Sequence, residues 1–136
     1  MNKILTISAF VASVFAGKQN FPGFDMFHAN CALQVTYPTK NCATVFAGLE
    51  SAVKSFNPEP LSKGLYSIKE EATNDYLWTI RETPTHHYKD DIIFELKPSG
   101  NSCIVNSKSR SESPSVYDYE TNYCNQWTVH QKVGGF

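Results

Sequence analysis

The chain has 136 residues, of which 41% are hydrophobic, and a formal net charge of −1 at pH 7. This length is typical of one domain that can bury a core of its own. The charge argues against a nucleic-acid-binding protein, which carries a strong basic excess. Beyond the N-terminus, no apolar run reaches the ~18 residues that indicate a membrane-spanning helix.

Residues 1–16 have the pattern of a secretory signal peptide. Lys3 supplies a positive charge, residues 4–15 are apolar or small, and Ala16 ends a Val-Phe-Ala cleavage motif. The alternative, a membrane anchor, would need a longer apolar run. We therefore expect a secreted, extracellular protein in which residues 17–136 form a single domain.

The cysteine count agrees with secretion. Four cysteines follow the signal peptide: Cys31, Cys42, Cys103 and Cys124. An even number in a secreted chain indicates two disulfides, for which three pairings are open. The local closures Cys31–Cys42 and Cys103–Cys124 are the favoured pairing. A zinc site is the weaker alternative, because no Cys-x-x-Cys spacing is present, so we predict neither a metal nor a cofactor.

The first predicted elements are a strand and a helix. Residues 32–37 alternate between apolar and polar side chains, which indicates a short strand, and Pro38 ends it. Thr39 or Asn41 can cap the helix that follows. Its apolar residues recur at spacings of three and four and form one stripe: Cys42, Val45, Phe46, Leu49, Val53 and Phe56. The helix should end at Pro58.

Four further strands and a second helix follow. The strands are predicted over 63–69, 75–82, 90–97 and 102–109. Their short connections favour an antiparallel meander. The helix is predicted over 121–132 and ends before Gly134. The predicted fold is therefore α+β, an antiparallel sheet of four to five strands with two helices packed on one face.

Asp90 and Asp91 are the first candidates for chemistry. Because neighbours on a strand point to opposite faces, they cannot act as a paired general acid and base. One of them must face the core, where a carboxylate needs a cation or amide donors. Arg81 or Arg110 on the flanking strands can supply the guanidinium, so a structural ion pair is favoured over catalysis.

His86 and His87 are the second candidates. With Asp90 or Asp91 they would give a hydrolase or a metal site. Adjacent histidines chelate one ion poorly, which favours two histidines on a surface loop. No motif of a serine hydrolase, a zinc protease or a nucleotide-binding loop occurs in the sequence.

A third group of polar residues surrounds the predicted start of the second helix. It comprises Ser109, Arg110, Ser111, Asp118, Tyr119 and Asn122. One interpretation is a site for an anion or a polar headgroup. The favoured interpretation is a polar latch that ties the last loop and helix to the sheet, with Asp118 as a helix cap.

These motifs, taken in order, resemble the DUF1499 domain. The resemblance rests on Glu82-Thr-Pro84, on Asp90-Asp91 opening an apolar strand, on residues 107–111, and on Asp118 followed by Asn122. It covers about residues 41–127. It implies a small α+β domain in which Asp90, Asp91, Arg110, Asp118 and Asn122 act together, and it implies no activity, because the family has no established function.

The sequence thus predicts a secreted, disulfide-stabilised, non-catalytic domain that binds a hydrophobic small molecule or an extracellular protein. An apolar cavity could be lined by Trp78, Phe94, Phe46 and Trp127, although these aromatics could equally fill the core. The predicted ligand-binding residues are Trp78, Arg81, Asp90, Asp91, Arg110, Asp118 and Asn122. The alternatives are the hydrolase named above and a structural extracellular component.

Overall fold

A computed structural model describes residues 17–136. After a 3-10 turn at Lys18–Asn20, the elements are β1 (Asn30–Tyr37), α1 (Cys42–Ser55), β2 (Leu65–Ala72), β3 (Tyr76–Glu82), β4 (Lys89–Ser99), β5 (Ser102–Ser111) and α2 (Thr121–Val133). The predicted α+β fold is confirmed. The predicted signal peptide lies outside the described residues.

The five strands form one antiparallel sheet in the order β1-β5-β4-β3-β2. Strands β2 to β5 follow one another as a meander, as their short connections predicted. β1 lies on the far side of β5, so that Cys31 pairs with Ser109 and Tyr37 pairs with Cys103. Both helices pack on the same face of the sheet, which we call the helix face.

The stripe on α1 packs against apolar residues of the sheet to form the main core. Asn41 caps the helix by accepting a hydrogen bond from the Thr44 N–H at 2.8 Å, which leaves Thr39 outside. Every residue of the predicted stripe is buried against the sheet. Full burial of one aliphatic or aromatic side chain contributes roughly 1.5–3 kcal/mol, so this stripe anchors α1 by hydrophobic transfer.

The disulfide pairing differs from the local closures that we expected. Cys42 is bonded to Cys103, with 4.9 Å between their Cα atoms. The register explains this pairing, because Tyr37 opposite Cys103 leads within five residues into Cys42, whereas Cys31 lies six residues back along β1. Cys31 and Cys124 form no disulfide within residues 17–136. Both predicted pairings, Cys31–Cys42 and Cys103–Cys124, are therefore wrong, and one disulfide is formed within these residues instead of two.

The opposite face of the sheet, the outer face, is partly covered by the N-terminal segment 17–25. Phe21 packs edge-on against Trp78, with 5.4 Å between ring centroids. Lys18 pairs with Asp75 at 2.5 Å at one end of this segment. Within residues 17–136, no helix has the length and apolar character needed to cross a membrane.

Candidate functional site

α2 packs on the helix face through polar side chains. Its buried residues are Asn122, Asn125, Gln126, Val129 and His130. The sheet presents its own polar side chains opposite them, and these are Arg81, Asp90, Ser107, Ser109 and Ser111. We call this contact the polar interface. Because a buried polar group without a partner is costly, the position of α2 depends on its hydrogen bonds.

Asn122 is the centre of the polar interface at the start of α2. Its Oδ1 accepts a hydrogen bond from the Ser109 hydroxyl at 2.6 Å. Its Nδ2 lies within hydrogen-bond distance of Ser111 Oγ (3.2 Å), the Ala29 carbonyl (3.1 Å) and Asp118 Oδ2 (2.8 Å). Asp118 also accepts the backbone N–H of Asn122 at 3.0 Å. The latch interpretation therefore describes these contacts. Asp118 accepts a helix N–H, but the N-cap position that we predicted for it is occupied by Glu120, which makes no side-chain capping bond.

Asp90, on β4, faces the next turn of α2, where Asn125 lies. Its carboxylate accepts hydrogen bonds from Ser111 Oγ at 2.9 Å and from Asn125 Nδ2 at 2.8 Å. Arg81 Nη1 lies 3.9 Å from Asp90 Oδ2, which is an ion pair without a hydrogen bond, and Arg81 is one of the two arginines that the sequence offered for this role. Arg81 is 6% exposed and lies over Gly64, where an added Cβ would come within 2.5 Å of its Nε. Glycine at this position therefore allows the guanidinium to be buried.

His130 closes the polar interface near the end of α2. Its ring nitrogens lie 2.8 Å from the Tyr37 hydroxyl and 3.0 Å from the Ser107 hydroxyl, and the side chain is fully buried. Burial lowers the pKa of His130 to about 4, so the ring is neutral at physiological pH. In the sequence His130 had no evident partner, because both partners come from strands distant along the chain.

A surface pocket of about 360 Å³ opens at the start of α2, and we call it the mouth pocket. Asp90 and Ser111, both nearly buried, are in its lining and belong to the polar interface. Three tyrosines, Tyr88, Tyr117 and Tyr119, line it with rings that are largely exposed. The rest of the lining is Thr83, Lys89, Ser113, Pro114, Ser115, Asp118 and Thr121. The volume is within the range of small-molecule sites.

The predicted site residues divide between the two faces of the sheet. Arg81, Asp90, Asp118 and Asn122 lie together on the helix face.

Trp78, Asp91 and Arg110 lie on the outer face. There Asp91 accepts hydrogen bonds from Trp78 Nε1 at 2.7 Å and from Lys69 Nζ at 3.0 Å. Arg110 donates to Asp25 at 2.8 Å, and with His28 it holds the pKa of Asp25 below its usual range. The seven residues therefore form two clusters rather than one site.

The hydrolase arrangement is not formed. His86 stacks on Tyr88 on an exposed loop, and His87 Nδ1 contacts Glu82 Oε1 at 2.6 Å. Asp90 is held by the polar interface, and Asp91 is on the outer face, so neither carboxylate has an imidazole partner among the described contacts. The physical reason is that His86 and His87 are exposed in the loop 83–88, whereas Asp90 is buried under α2.

The four aromatics proposed to line an apolar cavity do not share one. Phe46 and Phe94 are packed in the helix-face core, whereas Trp78 lies on the outer face. Trp127 is half-buried on α2 and stacks with Phe136 at 6.1 Å. These side chains fill space in two separate layers, which is the second interpretation that the sequence left open.

Sequence reasoning missed several residues of this region. Asn125, Ser107 and Gln126 are buried, and Tyr88 and Tyr117 line the mouth pocket. The spacing of Asn122, Asn125 and Gln126 at three and four residues was a usable signal, because it places three amides on one face of a helix. The described residues contain no group of three His, Cys, Asp or Glu side chains placed to hold a metal.

Comparison with known proteins gives a family and a fold. The family model for "Protein of unknown function (DUF1499)" matches residues 27–125. No curated protein sequence matches the chain. The crystal structure of the Mll3558 protein from Rhizobium loti is similar with a TM-score of 0.56 and 9% identity, over 78% of this chain and 94% of that one.

Two other solved structures are similar at slightly lower TM-scores. The CV1439 protein from Chromobacterium violaceum has a TM-score of 0.52 and 7% identity, over 76% of this chain and 93% of its own. Ara h 8.0201 has a TM-score of 0.52 and 6% identity, over 78% of this chain and 94% of its own. At such low identity these neighbours show the fold alone.

Proposed function

The chain belongs to the DUF1499 family of proteins of unknown function, and from this premise we propose that it is a non-catalytic, extracellular module that binds a small molecule in the mouth pocket. The observation that carries the proposal is the composition of that pocket. Buried polar groups lie beside exposed tyrosine rings in a volume of about 360 Å³. A few fixed polar groups beside apolar walls are typical of ligand sites.

The polar groups of the pocket are held in position by the polar interface. Asp90 is fixed by Ser111 and Asn125, and Ser111 in turn contacts Asn122. A ligand that donates a hydrogen bond to Asp90 would meet a carboxylate whose orientation is already set. Preorganisation of this kind reduces the entropy lost on binding.

The tyrosine rings supply the apolar contact area. Tyr117 and Tyr119 are 82% and 94% exposed, and Tyr88 is 58% exposed. Tyrosine offers a large rigid surface with few rotatable bonds, which is why it is enriched in binding surfaces. The hydrophobic part of the ligand would therefore lie against these rings rather than inside the packed core.

Secretion is part of the proposal. A disulfide between Cys42 and Cys103 fits an oxidising compartment, and residues 1–16 have the pattern of a signal peptide. Expression of the full sequence in a secreting eukaryotic host should give a mature chain that starts at Gly17. An N-terminal sequence that retains Met1 would contradict it.

Native mass spectrometry of the secreted protein tests the binding function. We expect a small molecule that co-purifies and is lost on denaturation. The paired variant Tyr117→Ala/Tyr119→Ala should lose it, because two of the three rings that line the pocket are removed. Both rings are exposed, so their removal leaves the core unchanged. Tyr123→Ala, an exposed tyrosine of α2 outside the pocket lining, is the matched control. A cargo that both variants retain equally would contradict the assignment of the pocket.

A second candidate function is contact with an extracellular protein. The observation in its favour is a group of exposed apolar side chains, Met26, Phe27, Val116, Tyr117 and Tyr119. Bridge pairing between His28 and Ser115 brings the two segments that carry them together. Contiguous exposed apolar patches are typical of interaction surfaces. In this case the purified chain would carry no cargo.

A further inference from the structure

We propose that the ligand of the mouth pocket is an organic cation, such as a protonated or quaternary amine that carries an apolar group. This inference rests on the proposed function and specifies its chemistry. Two independent features of the pocket point to it: the kind of aromatic surface that lines it and the sign of the charge around it.

The aromatic feature is the set of three tyrosines. The rings of Tyr88, Tyr117 and Tyr119 border one pocket and come from two different loops. The face of a tyrosine ring carries negative electrostatic potential, and a cation within about 6 Å of its centroid is attracted to it. Several such rings around one site are the arrangement by which proteins recognise quaternary ammonium groups. An anion would be repelled by the same faces.

The same chemistry already occurs elsewhere in this chain. On the outer face, the Lys69 ammonium lies 4.3 Å from the centroid of the Trp78 ring and 3.0 Å from Asp91 Oδ1. That triad combines an aromatic face and a carboxylate around one cation. The mouth pocket offers both of these groups, with Asp90 as the carboxylate and the tyrosines as the rings, and its own lysine is directed to another partner.

The charge feature is an excess of carboxylates at the mouth. Asp90 and Asp118 line the pocket, and Glu112 and Glu120 are adjacent in sequence to lining residues. The lysine in the lining, Lys89, has its ammonium 3.9 Å from Glu82 Oε2.

The remaining cation, Arg81, is buried behind Asp90 at 3.9 Å and is too enclosed to meet a ligand in the pocket. Carboxylates lining a cleft raise the local concentration of cations. The potential in the pocket therefore favours a positively charged ligand over a neutral one of the same shape, and it disfavours an anion.

Titration with matched probes tests this inference. Choline and 3,3-dimethylbutan-1-ol have the same shape and differ in the positive charge. Binding is followed by tyrosine fluorescence and by calorimetry at low ionic strength. We expect choline to bind about tenfold more tightly than the neutral alcohol, and this preference to shrink as salt is added.

Two variants locate the effect. Tyr117→Ala/Tyr119→Ala should weaken choline binding severalfold by removing two rings, and E112Q/E120Q should weaken it by removing charge while keeping shape. Tyr123→Ala should bind choline as the wild type does. Unchanged choline affinity in both of the first two variants would overturn the inference.

The outcomes separate this inference from the proposed function. If choline and the neutral alcohol bind equally well and the tyrosine variant loses both, the pocket is a ligand site but the cation inference fails. Tighter binding of an anionic probe, such as acetate, would also overturn the cation inference. If none of the probes binds and the secreted protein carries no cargo, the proposed function and the cation inference both fail.

Discussion

The two helices lie on the same face of one sheet, but they are held there by different forces. α1 buries an apolar stripe with Val45 and Leu49 fully inaccessible, and a disulfide at Cys42 ties its start to β5. α2 buries amides and an imidazole, including Asn122 and His130. Hydrophobic contact is not directional, whereas hydrogen bonds fix orientation. α1 therefore supplies stability, and α2 positions the groups at the mouth pocket.

Removal of the disulfide should have the largest effect on stability. The bond spans a sequence separation of 61 residues. The chain-entropy relation then gives a loss of about 4 kcal/mol in the free energy of unfolding for Cys42→Ala/Cys103→Ala. Urea denaturation measures it, with Cys31→Ser/Cys124→Ser as the control that should change little. Peptide mapping that recovers a Cys31–Cys42 bridge would refute the assigned pairing.

Truncation in the α1 stripe should be next. Leu49 is fully buried, and Leu49→Ala should lower the free energy of unfolding by about 3 kcal/mol through lost transfer energy and a residual cavity. Ser51→Ala on the exposed side of the same helix should change it by less than about 0.5 kcal/mol. Equal effects of the two substitutions would mean that α1 is not the apolar anchor of the domain.

Acid should weaken the α2 contact through His130. The pKa of His130 in the folded protein is about 4, below its ordinary value of 6.5, so the unfolded chain binds more protons between these values. The stability contribution is complete above pH 6.5 and is lost as the pH falls through about 4, which amounts to about 3 kcal/mol at the limit.

The variant His130→Gln isolates this contribution. We expect the free energy of unfolding of the wild type to fall more steeply than that of the variant between pH 6.5 and 4, in parallel urea titrations. Parallel curves over this range would show that His130 titrates normally and is not buried in its neutral form.

Loss of the central amide of α2 should be the smallest of these effects. Asn122→Ala leaves the Ser109 hydroxyl without its acceptor and removes one of the two hydrogen bonds to Asp118 Oδ2, and it should cost about 2 kcal/mol. Gln131→Ala, on the exposed side of α2, is the control. In hydrogen-exchange measurements, Asn122→Ala should lower protection in α2 more than in α1. A loss confined to α1 would contradict the division between the helices.

The two helices also differ in what the sequence reveals. The α1 stripe was predictable residue by residue, because apolar side chains at spacings of three and four are typical of a buried helix face. The amides of α2 look like surface residues in a sequence, and their burial depends on partners that come from β1, β4 and β5. Strand alternation predicted that one of the two aspartates faces the core and meets Arg81 or Arg110, and the structure pairs Asp90 with Arg81.

The register of the sheet marks the limit of prediction from the sequence. Cys42 meets Cys103 because β1 pairs with β5, and no local pattern specifies that pairing. The same limit applies to Asp90 and Arg110, which lie on opposite faces of the sheet. Strand alternation predicted that Asp90 and Asp91 diverge, but it did not tell which of them shares a face with Arg110. The mouth pocket also escaped prediction, since its tyrosines lie on loops without periodicity.

A map of where a ligand binds tests the mouth pocket most directly. Amide spectra of ¹⁵N-labelled residues 17–136 should be recorded with a set of small fragments that includes cationic, neutral and anionic members. We expect saturable shifts in residues 83–90 and 111–121, around the mouth pocket, with the outer face unchanged. Shifts confined to the region of Phe21 and Trp78, or no saturable shift with any fragment, would contradict a ligand site at the start of α2.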